Sequence, residues 1–114
     1  MILAKRVLII DDDKNILRFF TQILQKNGYI VDSAETGREA LEKIRGQVYH
    51  AALIDIVLPD ANGLDLLKNI PSQTQKIVMT GSYLEENRKK ALILGAKAFL
   101  IKPIRIEKIL ETIN

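Results

Sequence analysis

Four short apolar runs in this chain each stop on a polar residue, and that repeated ending constrains the fold more than any other feature. Val7-Leu8-Ile9-Ile10 stops on Asp11-Asp12, and Ala51-Ala52-Leu53-Ile54 stops on Asp55. Ile77-Val78-Met79 stops on Thr80, and Ala98-Phe99-Leu100-Ile101 stops on Lys102. Runs of this length, bounded by turn residues, suit strands buried on both faces of a parallel sheet. An open α/β sheet binds ligands just beyond the carboxyl ends of its strands. Three carboxylates, a hydroxyl and an ammonium are therefore expected at one edge of one sheet.

Helical patterns fill the intervals. Ile16, Phe20, Ile23 and Leu24 recur at helical spacing after Asp13, and Gly28 stops them. Tyr29-Ile30-Val31 reads as a short second strand. Ala40, Leu41 and Ile44 mark a second helix closed near Gly46. Pro59, Asn62 and Gly63 punctuate a loop before a short helix carrying Leu64, Leu67 and Ile70. A fourth helix carries Ala91, Leu92 and Leu94 up to Gly95. Ile106, Ile109, Leu110 and Ile113 form an apolar stripe on the last. Five βα units joined by right-handed crossovers make a parallel sheet covered by helices on both faces. The length of 114 residues suits one domain, taken as residues 1–114.

Composition narrows the function. A net charge of +3 is too mild to argue for direct nucleic-acid binding. There is no cysteine, hence no disulfide framework and no thiolate metal site, which fits a cytoplasmic protein. No segment approaches the ~20 apolar residues of a membrane span.

The polar endings suit phosphoryl transfer, which needs a nucleophile, a cation and donors for the phosphoryl oxygens. Asp55 can be the nucleophile. Asp11 and Asp12 can hold Mg²⁺, a hard cation that takes oxygen ligands. Lys102 supplies a point charge and Thr80 a hydroxyl. Each residue alone has a plainer reading, as a helix cap, a turn residue or a solvated charge. Asp13 is read as a helix cap only. The joint placement at four strand ends is what the plainer readings leave unexplained.

These stretches, with Ile56-Val57-Leu58-Pro59, Asn62-Gly63, Gly81 and Pro103-Ile104, closely resemble the receiver domain of two-component response regulators along essentially the whole chain. The resemblance implies a flavodoxin-like α/β fold, a three-layer sandwich with sheet order 2-1-3-4-5 and five helices. It implies a phosphorylation-activated switch that accepts phosphate on Asp55 from a histidine kinase or phosphotransfer protein. Asp12, Asp55 and the Val57 carbonyl would bind Mg²⁺, Asp11 would act through water, and Thr80 and Lys102 would contact the phosphoryl oxygens. Thr80 and Phe99 would carry the switch to the face made by the fourth helix, fifth strand and fifth helix. The Lys102-Pro103 bond would be cis. Partners would be the kinase and a downstream effector domain or protein, with a phosphorylation-dependent dimer left open and no membrane involved. The domain would catalyse only its own phosphorylation and dephosphorylation, so it is not expected to be an enzyme.

Some positions depart from the family pattern. His50 stands where many relatives have Asp and reads as a surface turn residue. Lys97 replaces an Asp common in one DNA-binding branch, against that branch's dimer. Val57 and Tyr83, taken as two residues beyond Asp55 and Thr80, are read as flanking the path of hydrolytic water, with neither able to hold it, which implies slow loss of phosphate. A haloacid-dehalogenase-like phosphatase is the alternative reading. It would want a second Asp where Val57 stands, and a substrate cap for which this chain has no length. A phosphorylation-independent interaction module fits poorly with the intact acidic pair, and no Gly-x-Gly-x-x-Gly follows the first strand.

Overall fold

The computed structural model describes residues 4–114. Strands and helices alternate: β1 Arg6–Ile10, α1 Lys14–Lys26, β2 Ile30–Ala34, α2 Gly37–Gly46, β3 Ala51–Asp55, α3 Gly63–Leu66, β4 Gln75–Thr80, α4 Glu85–Ile93, β5 Ala98–Ile101 and α5 Ile106–Ile113. A 3₁₀ turn, Leu67–Asn69, extends α3. All strand pairs are parallel, in the order β2-β1-β3-β4-β5. The Lys102-Pro103 bond is cis. No helix of the described residues is long and apolar enough to cross a membrane.

Alternation along each strand divides the interior in two. Leu8, Ile10, Ala52, Ile54 and Val78 pack with Ala40, Leu64, Leu67 and Ala91 on one face. Val7, Ile9, Leu53, Ile77 and Met79 pack with Leu17, Phe20, Leu24, Ile109 and Ile113 on the other. The central strands are thus apolar on both faces, and their first polar residues fall at the sheet edge. Register aligns those ends: Ile10 pairs with Ile54, Asp55 with Met79, and Thr80 with Ile101.

Three elements differ from the sequence pattern. β2 runs on through Asp32 and Ser33 to Ala34. It is an edge strand, so polar residues are tolerated. Asp32 is held by Arg6 at 3.3 Å and by the Tyr49 hydroxyl at 2.7 Å. α4 buries only Ala91, while Leu92 and Ile93 face outward. His50 is half-buried: it stacks on Tyr29, and its Nε2 lies 2.6 Å from the Ile113 carbonyl oxygen. The same Nε2 also lies 3.1 Å from Gln75 Nε2. Lys97 donates to Gln75 Oε1 and to the Thr112 carbonyl, both at 2.6 Å. His50 and Lys97 therefore hold the end of α5, at the sheet edge opposite Asp55.

Gly63 shows how tightly the upper edge is packed. A Cβ added there would stand 2.0 Å from the Asp55 carbonyl oxygen, whereas one at Gly46 would meet nothing within 4 Å. Gly63→Ala should lose about 2 kcal/mol or more of stability in urea denaturation. Gly46→Ala should lose none; equal midpoints for the two variants would contradict this packing.

Candidate functional site

Asp11 follows β1, and its N–H still donates to the Ala34 carbonyl at 3.0 Å, so the sheet fixes its backbone. Its side chain is fully buried. Asp12 beside it is exposed. Asp13 turns into α1 and caps it, accepting from the Asn15 and Ile16 N–H groups. Asp55 ends β3 and is buried. Carboxylate oxygens of Asp11, Asp12 and Asp55 all lie within 4.8 Å of one another.

Lys102 joins the two buried members. Its Nζ donates to Asp11 Oδ2 at 2.8 Å and to Asp55 Oδ2 at 3.0 Å. The other oxygens take backbone donors: Asp11 Oδ1 accepts from the Asp13 N–H at 2.9 Å, and Asp55 Oδ1 from the Val57 N–H at 3.2 Å. Lys102 is itself placed by the sheet, since its N–H donates to the Thr80 carbonyl at 2.7 Å. Burial pushes the Asp11 carboxyl above its ordinary range, against the lowering effect of Lys102 and the Asp13 N–H. For Lys102, desolvation is the largest single influence and lowers its affinity for the proton. The hydrogen bonds and charges of Asp11 and Asp55 together outweigh it, and the ammonium is held above its usual range.

Thr80 is buried, and its hydroxyl belongs to the β4–α4 loop. It donates to the Ser82 carbonyl at 2.7 Å and accepts from the Ser82 N–H at 3.1 Å. Phe99 is half-buried against the α2–α3 side of the core. The Tyr83 ring meets Phe99 edge-on, with centroids 6.1 Å apart. Two corrections follow for the water path. The residue two beyond Thr80 is Ser82, and Tyr83 is one further. Tyr83 packs on Phe99, and its hydroxyl donates to Glu85, which Arg88 also holds at 2.6 Å. Val57 presents its backbone to Asp55 while its side chain is 72% exposed.

Two features escaped the sequence. Asn15, Ile16, Phe19, Phe20, Pro103 and Ile104 line a cleft of about 460 Å³ that Lys102 also borders. The outward Phe19 was the available signal, since it adjoins the buried Phe20 on an amphipathic helix. The Asp60 carboxylate reaches the N–H groups of Gly37 and Arg38 in α2. That is a tertiary contact for which sequence spacing gave no signal.

The family model for the response regulator receiver domain matches residues 7–114. Response regulator ArlR of Staphylococcus saprophyticus is 34% identical over 111 residues, which is 96% of this chain and 50% of that protein. The chain thus spans about half the length of the curated relatives it matches. A CheY-like response regulator receiver domain protein from Methanospirillum hungatei superposes with a TM-score of 0.92 at 41% identity, covering 97% of this chain and 91% of that one. A response regulator from Burkholderia pseudomallei, solved with a phosphorylated aspartic acid, calcium ion and citrate, gives 0.91 at 27% identity over 97% of this chain and 67% of that one. Nothing in these likenesses supports the haloacid-dehalogenase alternative. With the strand order, the acidic edge and the family match in agreement, this chain belongs to the response regulator receiver domains, the phosphorylated switch modules of two-component signalling.

Proposed function

We propose that Asp55 is the residue phosphorylated in this receiver, in a Mg²⁺-dependent reaction, with a histidine kinase or phosphotransfer protein as donor. The observation that carries this reading is the group of Asp11, Asp12 and Asp55, with Lys102 bridging its two buried members.

The donor set fits Mg²⁺. It consists of carboxylate oxygens, which this hard cation prefers. At 4.8 Å, two such charges repel by about 3 kcal/mol at an effective ε of about 20. Lys102 offsets one charge, and a dication would offset the others. Asp12, Asp55 and the Val57 carbonyl would hold the ion, with Asp11 acting through water. When bound, it would neutralise charge on the phosphoryl oxygens.

The chain's own residues do the rest. An Asp55 oxygen attacks phosphorus in line. The new O–P bond forms as the P–N bond to the donor imidazole breaks, and that nitrogen keeps the electron pair. Lys102 already touches Asp55 and needs only a small shift to reach a phosphoryl oxygen. Thr80 must release Ser82 before its hydroxyl can do the same. That inward movement frees space for Phe99, whose ring then leaves the Tyr83 edge. The change is a shift between two packings, read on the α4–β5–α5 face by an effector domain or protein. Leu92, Ile93 and Ile101 are exposed on those elements, among charged residues that include Lys89 and Lys90. The cleft beside Lys102 supports docking of the donor there, since its lining reaches Asp55 through one side chain.

Val57 cannot orient a hydrolytic water, which supports a slow loss of phosphate. The chemistry is confined to the domain's own phosphate, so we read it as a cytoplasmic switch and not as an enzyme acting on a separate substrate.

Acetyl phosphate with Mg²⁺ should add one phosphate, read by intact-mass spectrometry. Chelation or Asp55→Asn should abolish it, and NMR should show shifts across residues 80–101. Peptide mapping to Asp60 or Asp65 would refute the assignment, and unchanged spectra around Thr80 and Phe99 would refute the switch.

A second expectation follows from Asp11. Its carboxyl is held above the ordinary range by burial, so the folded state binds that proton more tightly than the unfolded state does. Stability from this group is present below the ordinary carboxylate pKa and is lost as pH rises through the raised one. In chelator at pH 7, Asp11→Asn should therefore be more stable than the parent by about 1 kcal/mol. The gain should vanish near pH 3. A variant less stable at neutral pH would contradict the sign.

A further inference from the structure

The loop between β3 and α3 is tied to Asp55 at both ends. At its start the Val57 N–H donates to Asp55 Oδ1 at 3.2 Å. At its finish Gly63 lies against the Asp55 carbonyl, and the Gly63 N–H donates to the Ile56 carbonyl at 2.6 Å. Between these, Val57 and Asn62 form an antiparallel bridge, and the Leu58 N–H reaches the Ala61 carbonyl at 3.3 Å. The loop is a small closed hairpin. Ile56 and Leu58 root the base of the hairpin in the core, while the Val57 side chain between them is exposed and the tip at Asp60 lies outside the core.

The tip of this hairpin is fastened to a different element. Asp60 Oδ1 accepts from the Gly37 N–H at 2.7 Å, and Oδ2 accepts from the Arg38 N–H at 3.1 Å. These are the first N–H groups of α2, which have no partner inside the helix. The helix dipole favours a carboxylate at that end. The approach is close enough that a Cβ on Gly37 would stand 2.8 Å from Ala61 Cβ. The Gly37 N–H, with the Arg38 N–H, keeps the Asp60 carboxyl below the usual range, so it is ionised at neutral pH. An exposed carboxylate spanning 23 residues to reach two backbone donors holds position by hydrogen bonds and charge alone.

We propose that Asp60 is a positioning residue for the phosphoacceptor site. Moored on the N-terminus of α2, it fixes the hairpin that sets the Val57 backbone against the Asp55 carboxylate. This rests on the reading of Asp11, Asp12 and Asp55 as a Mg²⁺ site, for which Val57 supplies the carbonyl. Loss of the mooring frees the hairpin tip, and the Val57 N–H and carbonyl wander relative to Asp55. Asp60 itself touches neither the metal nor the phosphate.

The same helix end offers a matched control. Thr36 Oγ1 accepts from the Glu39 N–H at 3.1 Å and caps α2 from within its own chain segment, whereas Asp60 reaches the same helix end from the hairpin. The test titrates Mg²⁺ by calorimetry, and in chelator it measures amide hydrogen exchange at Val57. Asp60→Ala should weaken the Mg²⁺ Kd by about tenfold, the lower end for loss of a partner behind metal ligands. It should also speed exchange at Val57. Asp60→Asn keeps an acceptor for Gly37 and should weaken the Kd by less. Thr36→Ala should lower the melting temperature by about 4 °C, as loss of a cap does, with the Mg²⁺ Kd and Val57 exchange unchanged. A parental Mg²⁺ Kd and parental Val57 exchange in Asp60→Ala would overturn the proposal. So would equal weakening in Thr36→Ala, since the effect would then come from α2 stability. If the parent itself bound no Mg²⁺, the metal reading would fall, and Val57 exchange alone would decide the mooring.

Discussion

The Lys102 ammonium, set between the buried carboxylates of Asp11 and Asp55, is the interaction on which the upper edge of this sheet depends. Asp11 is wholly excluded from solvent and Asp55 nearly so. Two uncompensated charges in such places would protonate or pull the edge apart. One cation, delivered by the residue after β5, answers both. The sheet ensures its delivery, because the Lys102 N–H is bonded to the Thr80 carbonyl at the end of β4. The same backbone contact thus links the cation to the residue proposed to sense the phosphate. On the proposed reading, stability and chemistry pull in opposite directions here: an apolar edge would fold more tightly but would offer no oxygen ligands and no nucleophile.

The opposite end of the sheet is built for holding still. His50 and Lys97 meet carbonyls in the last turn of α5, and Tyr49 and Arg6 tie down Asp32 on the edge strand. The residues proposed to carry the switch lie at the other edge. The Thr80 hydroxyl is bonded to its own loop, Tyr83 leans on Phe99, and α4 rests on the core through little more than Ala91. Few apolar contacts tie this helix to the core, which is the packing expected of an element with low local stability.

Much of this was legible in the sequence because parallel strands buried on both faces must be apolar throughout. Their ends are then marked by the first polar residue, and Asp11, Asp55 and Thr80 are those residues; Lys102 follows the edge strand β5, which is only partly buried but keeps an apolar run up to its end. The cap at Asp13 was legible for a local reason, since a side chain reaching two residues onward needs no tertiary information. The apolar pattern ends at Val31 while β2 continues, because an edge strand tolerates Asp32 and Ser33. His50 looked like a turn residue because its partner, Ile113, is 63 positions away. The Asp60 mooring and the contact of Tyr83 with Phe99 were hidden for the same reason. Each depends on how elements pack, and no spacing along the chain encodes it.

The central claim, that Lys102 is the counter-ion that lets the acidic edge exist, is tested most directly by urea denaturation of Lys102→Ala with and without Mg²⁺. In chelator the variant should lose about 3 kcal/mol relative to the parent, as breaking a buried ion pair does. Mg²⁺ should then stabilise the variant more than the parent, because it no longer competes with an ammonium for Asp11 and Asp55. Equal stability in chelator, or a smaller gain from Mg²⁺ in the variant, would contradict the account.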